Sequence, residues 1–211
     1  MSKFFLTLLS IIVVLTTACH SAKIETPTTS AAAPAHSTSS EPAFKPEPRP
    51  TDAEVREAII RNYEDAAVID NSRRTSFLVG DFNGDNSEDI AIVVKPAKGK
   101  LSKLNSEYAN WILEDPRQPV HSKDLKSRPA PITVTSTDSL LAVIHGVKSE
   151  GWRNAIAKQT YLLKNAVGES FEKQANHGKT RFAGDVIREK LDGTDGIIYF
   201  TGAKYAWHPI I

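Results

Sequence analysis

The sequence predicts an α+β domain over residues 51–211, with a mostly antiparallel β-sheet and about two helices. Three observations favour this class: a capped amphipathic helix pattern after residue 51, several short β-patterned runs, and turn-rich hairpin sequences near the C-terminus. The chain has 211 residues, 40% of them apolar, which suffices for a hydrophobic core. With 26 basic and 25 acidic residues, it lacks the positive excess of a non-specific nucleic-acid binder.

The first helix is predicted over residues 52–66. Thr51 and Glu54 have the spacing of a capping box, in which each side chain accepts a hydrogen bond from the backbone amide of the other residue. The apolar residues that follow recur at helical spacing: Val55, Ile59, Ile60 and Tyr63. This stripe predicts a helix that packs one face on the core.

Two strands are predicted next, over residues 75–79 and 89–95. The second run is apolar at both alternating sets of positions, with Ile90, Ile92 and Val94 on one face and Ala91 and Val93 on the other. Such a run is typical of a central strand that is buried on both sides.

A second helix is predicted over residues 101–114, because apolar residues again recur at helical spacing and Pro116 ends the run. Further strands are predicted at 140–147, 159–163 and 185–190. The segment 192–196 has turn chemistry, and the runs 197–201 and 204–207 are predicted to form a closing hairpin.

The N-terminus has the pattern of an export signal. Lys3 precedes an apolar run from Phe4 to Leu15, which is shorter than the roughly 20 residues that cross a bilayer and has the length of a signal-peptide core. Small residues then lead to Cys19, the single cysteine of the chain, so no intramolecular disulfide can form. Residues 1–18 are therefore predicted to be a signal peptide.

The segment that ends at Cys19 resembles the lipobox of bacterial lipoproteins, although Thr16 stands where that pattern prefers leucine. The resemblance implies that Cys19 carries a diacylglycerol on its sulfur and anchors the protein to the membrane of the cell envelope. His20 follows the cysteine instead of aspartate, which by family analogy favours the outer membrane. The alternative is a secreted protein that is cleaved after Ala18 and has an incidental cysteine.

Residues 19–50 are predicted to be the lipidated cysteine followed by a disordered tether. The stretch contains half of the chain's 12 prolines, many serines and threonines, and Ile24 and Phe44 as its large apolar residues. It cannot bury enough apolar surface to offset the entropy of ordering. We expect a flexible, partly polyproline II spacer between membrane and domain. The alternative is a proline-rich motif that binds a partner.

The motif with recognisable chemistry is the acidic segment between the two predicted strands. Oxygen-bearing residues occur at every second position, where they could wrap one ion: Asp81, Asn83, Asp85, Ser87 (through its backbone carbonyl) and Asp89. Calcium prefers roughly six to eight such hard oxygen ligands. Three carboxylates this close together repel one another, and a divalent cation relieves the repulsion. Glu88 is predicted to be a bystander.

The stretch from Val79 to Val93 resembles the calcium loop of FG-GAP/VCBS-type repeats, the β-propeller repeats of integrin α subunits and many bacterial surface proteins. The resemblance implies a blade-like strand–calcium loop–strand unit with the five residues as ligands. Asn86 stands where the family usually has glycine, and asparagine tolerates the left-handed backbone. Because the motif occurs once, no complete propeller is expected. The alternative is an Asx-turn hairpin, in which these side chains accept backbone hydrogen bonds without a metal.

The sequence lacks the G-x-S-x-G, H-E-x-x-H, Walker and G-x-G-x-x-G motifs. We therefore expect a non-enzymatic, lipid-anchored envelope module that is rigidified by Ca²⁺ and binds a protein or glycan partner. The alternative is an envelope hydrolase acting on glycans or peptidoglycan through a carboxylate pair such as Glu150 and Asp185. Three tryptophans could stack on sugar rings in such an enzyme or pack in the core: Trp111, Trp152 and Trp207.

Overall fold

The structure, a computed structural model, describes residues 48–118, 131–175 and 182–210. The predicted signal peptide, Cys19 and the predicted tether up to residue 47 lie outside this part of the chain. The described residues form an α+β fold with mainly antiparallel sheets, so the predicted fold class is confirmed. None of the helices within these ranges is long and apolar enough to cross a membrane.

Helix α1 comprises Asp52–Tyr63 and begins with the predicted capping box. The Glu54 amide donates to Thr51 Oγ1 at 3.3 Å, and the Thr51 amide donates to Glu54 Oε2 at 2.7 Å. The helix ends at Tyr63 and not at residue 66, because Glu64 has a positive φ of 55°. Ile60, which was expected on the buried stripe, has a side chain that is 58% exposed.

The larger sheet is built from β1 (Ala67–Ile69), β2 (Phe77–Gly80), β3 (Asp89–Pro96), β4 (Ile112–Glu114), β5 (Leu140–Ile144) and β6 (Thr160–Leu163). Its strand order is β1-β3-β5-β6-β4, and β2 pairs with the other end of β3 on the same side as β1. All pairs are antiparallel except β4 with β6, which run parallel. The short segments β1 and β2 therefore share one side of the long strand β3.

Strand β3 is buried on both faces, which confirms the prediction of a central strand. Ile90, Ile92 and Val94 pack in a core with α1, while Ala91 and Val93 pack in a second core against the smaller sheet. Helix, larger sheet and smaller sheet therefore form three layers, and β3 supplies side chains to both cores.

The smaller sheet is antiparallel throughout and contains β7 (Glu172–Gln174), β8 (Val186–Leu191), β9 (Thr194–Phe200) and β10 (Tyr205–Pro209) in the order β10-β9-β8-β7. The predicted turn joins β8 to β9 through two residues, Asp192 and Gly193, with φ values of 49° and 79°. Two consecutive positive φ values favour the tight hairpin turn that matches strand twist. The predicted closing hairpin is present as β9 and β10.

The predicted second helix is wrong over most of its length. Helix α2 comprises only Leu101–Leu104, and residues 112–114 form β4 instead. The helix ends before Asn105, whose side chain binds the backbone of Val134 twice. Its Nδ2 donates to the Val134 carbonyl at 2.9 Å, and its Oδ1 accepts from the Val134 amide at 2.7 Å. Residues 112–114 instead pair in parallel with β6, so tertiary contacts override the helical spacing of the apolar residues.

Three short elements were not predicted. β1 and β7 have three residues each, and all residues of β7 are exposed, so neither shows a periodic apolar pattern. A 3₁₀ segment at Lys148–Arg153 is broken at Gly151, which has a φ of 57°. The amide of Trp152 in this segment donates to the carbonyl of Glu88, so the segment lies beside the acidic sequence between β2 and β3.

Candidate metal site

The acidic loop, defined here as residues 81–88, connects the antiparallel strands β2 and β3. Gly80 and Asp89 form the last strand pair, so Asp81 follows one strand directly and Asp89 begins the next. Gly84 and Asn86 have positive φ values of 78° and 66°. Asn86 thus adopts the left-handed backbone that the repeat family usually assigns to glycine.

The carboxylate of Asp81 accepts hydrogen bonds from three backbone amides of the loop. Its Oδ1 accepts hydrogen bonds from the amides of Gly84 and Asp85 at 2.7 and 3.0 Å, and its Oδ2 accepts one from the Asn86 amide at 3.0 Å. Burial raises the pKa of Asp81, and the nearby charge of Asp85 acts in the same direction. The three amide donors oppose this rise because they stabilise the ionised form.

Asp85 and Asn83 make further turns at the exposed tip of the loop. Asp85 Oδ1 accepts from the Ser87 amide at 2.8 Å, and Asp85 Oδ2 accepts from Asn83 Nδ2 at 2.9 Å. Asn83 Oδ1 accepts from the Asp85 amide at 3.0 Å. Successive side chains therefore satisfy the loop's own backbone donors, as in Asx turns.

Asp89 is fully buried and joins the loop to the chain that follows β5. Its Oδ2 accepts from the amides of Phe82 and Asn83 at 2.8 and 3.1 Å, and its Oδ1 accepts from the Gly146 amide at 2.6 Å. Burial raises the pKa of Asp89 to about 8, with a contribution from the charge of Asp85, while the amide donors limit the rise.

Four of the five predicted ligands lie in the loop, and Asp89 begins β3. The side chains of Asp81, Asn83, Asp85 and Asp89 accept from backbone amides, whereas Ser87 donates its own amide to Asp85. Within the described ranges, no three side chains of the types His, Cys, Asp or Glu are grouped so that they could hold a metal ion. Each carboxylate oxygen can accept two hydrogen bonds. Asp81 Oδ2, Asp89 Oδ1 and both oxygens of Asp85 accept one described bond each, so each keeps acceptor capacity. The donor chemistry suits a hard cation, but the described rotamers favour the Asx-turn alternative.

Two other backbone segments enclose the loop. The Asp185 amide donates to the carbonyl of Asp81 at 2.6 Å, and the Trp152 amide donates to the carbonyl of Glu88 at 2.7 Å. The approach is so close that a β-carbon at Gly146 would collide with the Glu88 carbonyl, and one at Gly184 with the Asp81 carbonyl. The loop is therefore clamped at both ends by tertiary contacts.

Glu88, which is predicted to stand outside the ligand set, binds two residues of the 3₁₀ segment. Its Oε1 accepts hydrogen bonds from Trp152 Nε1 at 2.9 Å and from Arg153 Nη1 at 2.8 Å. The Arg153 guanidinium also stacks over the Trp152 ring, 4.4 Å from its centroid. No pattern in the sequence indicated this contact, because the partners lie more than sixty residues further along the chain.

The residues considered for a hydrolase have separate partners. Glu150 lies in the 3₁₀ segment and contacts Asn154, whereas Asp185 Oδ2 accepts a hydrogen bond from the Asp81 amide at 3.3 Å. Trp111 and Trp152 are buried in the helix-side core, and Trp207 is partly buried beside the smaller sheet. The two core tryptophans therefore pack within the fold and present no stacking surface.

The comparisons with known proteins return no relative. No family model matches the chain, and neither the curated proteins nor the solved structures include a similar one. The resemblance of the acidic loop to FG-GAP/VCBS-type repeats therefore stays a hypothesis that rests on the loop itself.

Proposed function

We propose that the protein is a lipid-anchored component of the bacterial cell envelope whose domain binds a partner and holds Ca²⁺ in the acidic loop. The observation that carries the ion site is geometric: the carboxylates of Asp81, Asp85 and Asp89 lie in the acidic loop and at the first residue of β3, and each keeps an oxygen with spare acceptor capacity. Carboxylates this close together repel one another. A divalent cation would offset this repulsion. Its role would be structural, since it would hold the ends of β2 and β3 together.

A rotation of the Asp81 and Asp85 side chains would present their remaining acceptor positions to an ion. Asp85 lies at the exposed tip, so its carboxylate can reorient at little cost. The clamped ends of the loop would keep the backbone close to its present path. A bound cation would add positive charge beside these carboxylates and so stabilise their ionised forms.

Calcium is expected to stabilise the folded domain. At a concentration 100 times the dissociation constant, binding to the folded state alone contributes about 2.7 kcal/mol. For a domain of this size that corresponds to a rise of about 5–10 °C in melting temperature. Asp85→Ala should abolish the rise, whereas Asp52→Ala, which removes an exposed carboxylate from α1, should preserve it. An unchanged melting curve at millimolar calcium would refute the ion site.

The lipid anchor is tested by fractionation of cells that express the full chain. The wild-type protein should sediment with membranes and incorporate labelled fatty acid, and Cys19→Ser should do neither. A Cys19→Ser protein that keeps its label would contradict acylation of this cysteine.

A partner-binding role is supported by an apolar groove between α1 and β1. The groove has a volume of about 800 Å³, and its lining includes Ile59, Ile60, Val68 and Ile69. Ile60 and Val68 are 58% and 43% exposed, so apolar surface remains uncovered there. An apolar protein segment suits this lining better than a polar glycan.

Crosslinking in intact cells tests the groove. Ile60→Asp should remove crosslinked species that the wild-type protein forms, while Ile156→Asp should retain them. Ile156 is a matched control, because it is 61% exposed and lies outside the groove lining. Identical crosslinking patterns for the two variants would argue against the groove as the binding surface.

A further inference from the structure

The segment that leads from the predicted tether into α1 is held by one side chain. Arg153 Nη2 donates to the carbonyl of Pro48 at 2.9 Å, and Arg153 Nε donates to Glu54 Oε1 at 3.1 Å. The other oxygen of Glu54 accepts from the Thr51 amide in the capping box. We call residues 48–54 the junction; a single guanidinium binds both of its ends.

The same guanidinium binds the acidic loop. Arg153 Nη1 donates to Glu88 Oε1 at 2.8 Å, and the two side chains are only 17% and 14% exposed. Glu88 is fixed on two sides, since the amide and the indole N–H of Trp152 also bind it. A partly buried arginine with three directional contacts loses much of its stabilisation when one carboxylate moves away.

The position of Glu88 in the chain links the conformation of the loop to Arg153. It lies between Ser87, whose amide is bound by Asp85, and Asp89, which anchors the start of β3. A change in the path of the loop therefore displaces Glu88. Because Arg153 binds both Pro48 and Glu54, a displacement of Glu88 that moves Arg153 also disturbs these two contacts.

We infer that Arg153 couples the order of the acidic loop to the order of the junction, so that a cation bound in the loop makes the junction more rigid. The cation-dependent part rests on the proposed function, whereas the coupling itself does not. A rigid junction would restrict the orientations that the domain can take relative to the predicted tether.

Hydrogen exchange of the purified full-length chain in detergent tests the coupling. The junction is followed through the amide of Glu54 and the adjoining amide of Val55, which both bind Thr51. The loop is followed through the amides of residues 84–87. Without calcium, Glu88→Gln should speed junction exchange several-fold, because glutamine still accepts from Trp152 but loses the charge that binds Arg153. Arg153→Lys should have a similar effect, and the double variant should add little to either.

Arg117→Gln serves as the control, because Arg117 likewise stacks on a tryptophan and pairs with an aspartate, but at the smaller sheet. It should leave junction exchange unchanged. A junction that exchanges at the wild-type rate in Glu88→Gln, while the protein stays folded by circular dichroism, would overturn the inference.

Calcium separates the two proposals. In the wild-type protein it should slow exchange in both loop and junction, and in Arg153→Lys it should slow exchange in the loop alone. A response confined to the loop of the wild-type protein overturns the coupling and leaves the ion site intact. If no loop amide responds, the ion site fails, and the calcium-free comparison of Glu88→Gln with wild type still decides the coupling.

Discussion

Asp89 shows how much one side chain can contribute to a loop. The residue is buried, and its carboxylate accepts from the amides of Phe82, Asn83 and Gly146. Two of these donors belong to the loop and the third belongs to the chain after β5. The carboxylate therefore closes the loop and attaches it to the larger sheet, with or without an ion.

Above about pH 8, where Asp89 is ionised, Asp89→Asn is expected to destabilise the domain by about 2–4 kcal/mol. The amide has one acceptor oxygen, so its NH₂ group must face a backbone donor. Urea unfolding of the variant and of Asp85→Asn measures the difference. Asp85→Asn alters the exposed tip of the loop and should lower the free energy of unfolding by less than about 1 kcal/mol. Equal losses of stability in the two variants would contradict this account of Asp89.

At the scale of elements, local patterns predicted correctly wherever the interactions are local. The capping box of α1 joins residues three apart, and the hairpin β8–β9 needs only two turn residues. The prediction of the second helix was wrong because its apolar residues make contacts with distant parts of the chain instead of forming one helical face. Asn105 binds Val134, and residues 112–114 pair with β6 about fifty residues later.

The turn between β8 and β9 provides a test at this scale. Gly193→Ala should cost about 1–2 kcal/mol, because the residue has a φ of 79° that disfavours a β-carbon. The site is open, with nothing within 4 Å of an added β-carbon, so the cost would be conformational and not a collision. Urea unfolding should show this loss, while Thr194→Ala, at the exposed start of β9, should change stability by less.

At the scale of the whole molecule, the two sheets meet around a buried histidine. His145 Nε2 and the Tyr205 hydroxyl are 2.8 Å apart, which links the end of β5 to strand β10. The rings of Tyr161 and Phe200 also contact the imidazole, with centroids 5.0 and 4.9 Å from it. Burial lowers the pKa of His145 to about 4, so the folded protein holds this side chain neutral.

This linkage predicts acid sensitivity. The unfolded chain binds a proton on His145 near pH 6.5, whereas the folded chain does so only near pH 4, so the stability from this group is lost as the pH falls between these values. The loss amounts to about 3 kcal/mol. Asp89 and Glu189 have raised pKa values and act in the opposite direction, so the measurement must compare variants.

The appropriate comparison is wild type against His145→Gln, by urea unfolding at several pH values. The stability difference between the two proteins should shrink in the acid range, because glutamine does not titrate. A difference that stays constant from pH 7 to pH 4 would mean that His145 keeps the same protonation in both states.

The sequence by itself determined the fold class, α1 with its cap, the doubly buried strand β3, the closing hairpins and the position of the acidic loop. Each of these depends on residues close together in the chain, whose period or spacing has a direct physical meaning. The signal, lipid anchor and tether stay predictions of the same kind.

Only the tertiary structure decided what surrounds the loop. Asp89 meets Gly146, and Glu88 meets Trp152 and Arg153, through contacts that span roughly sixty residues of chain. Local pattern carries no information about such pairs, since many polar residues have suitable donors and only the packing of the layers selects among them. The same packing turned the predicted second helix into one helical turn and a parallel edge strand.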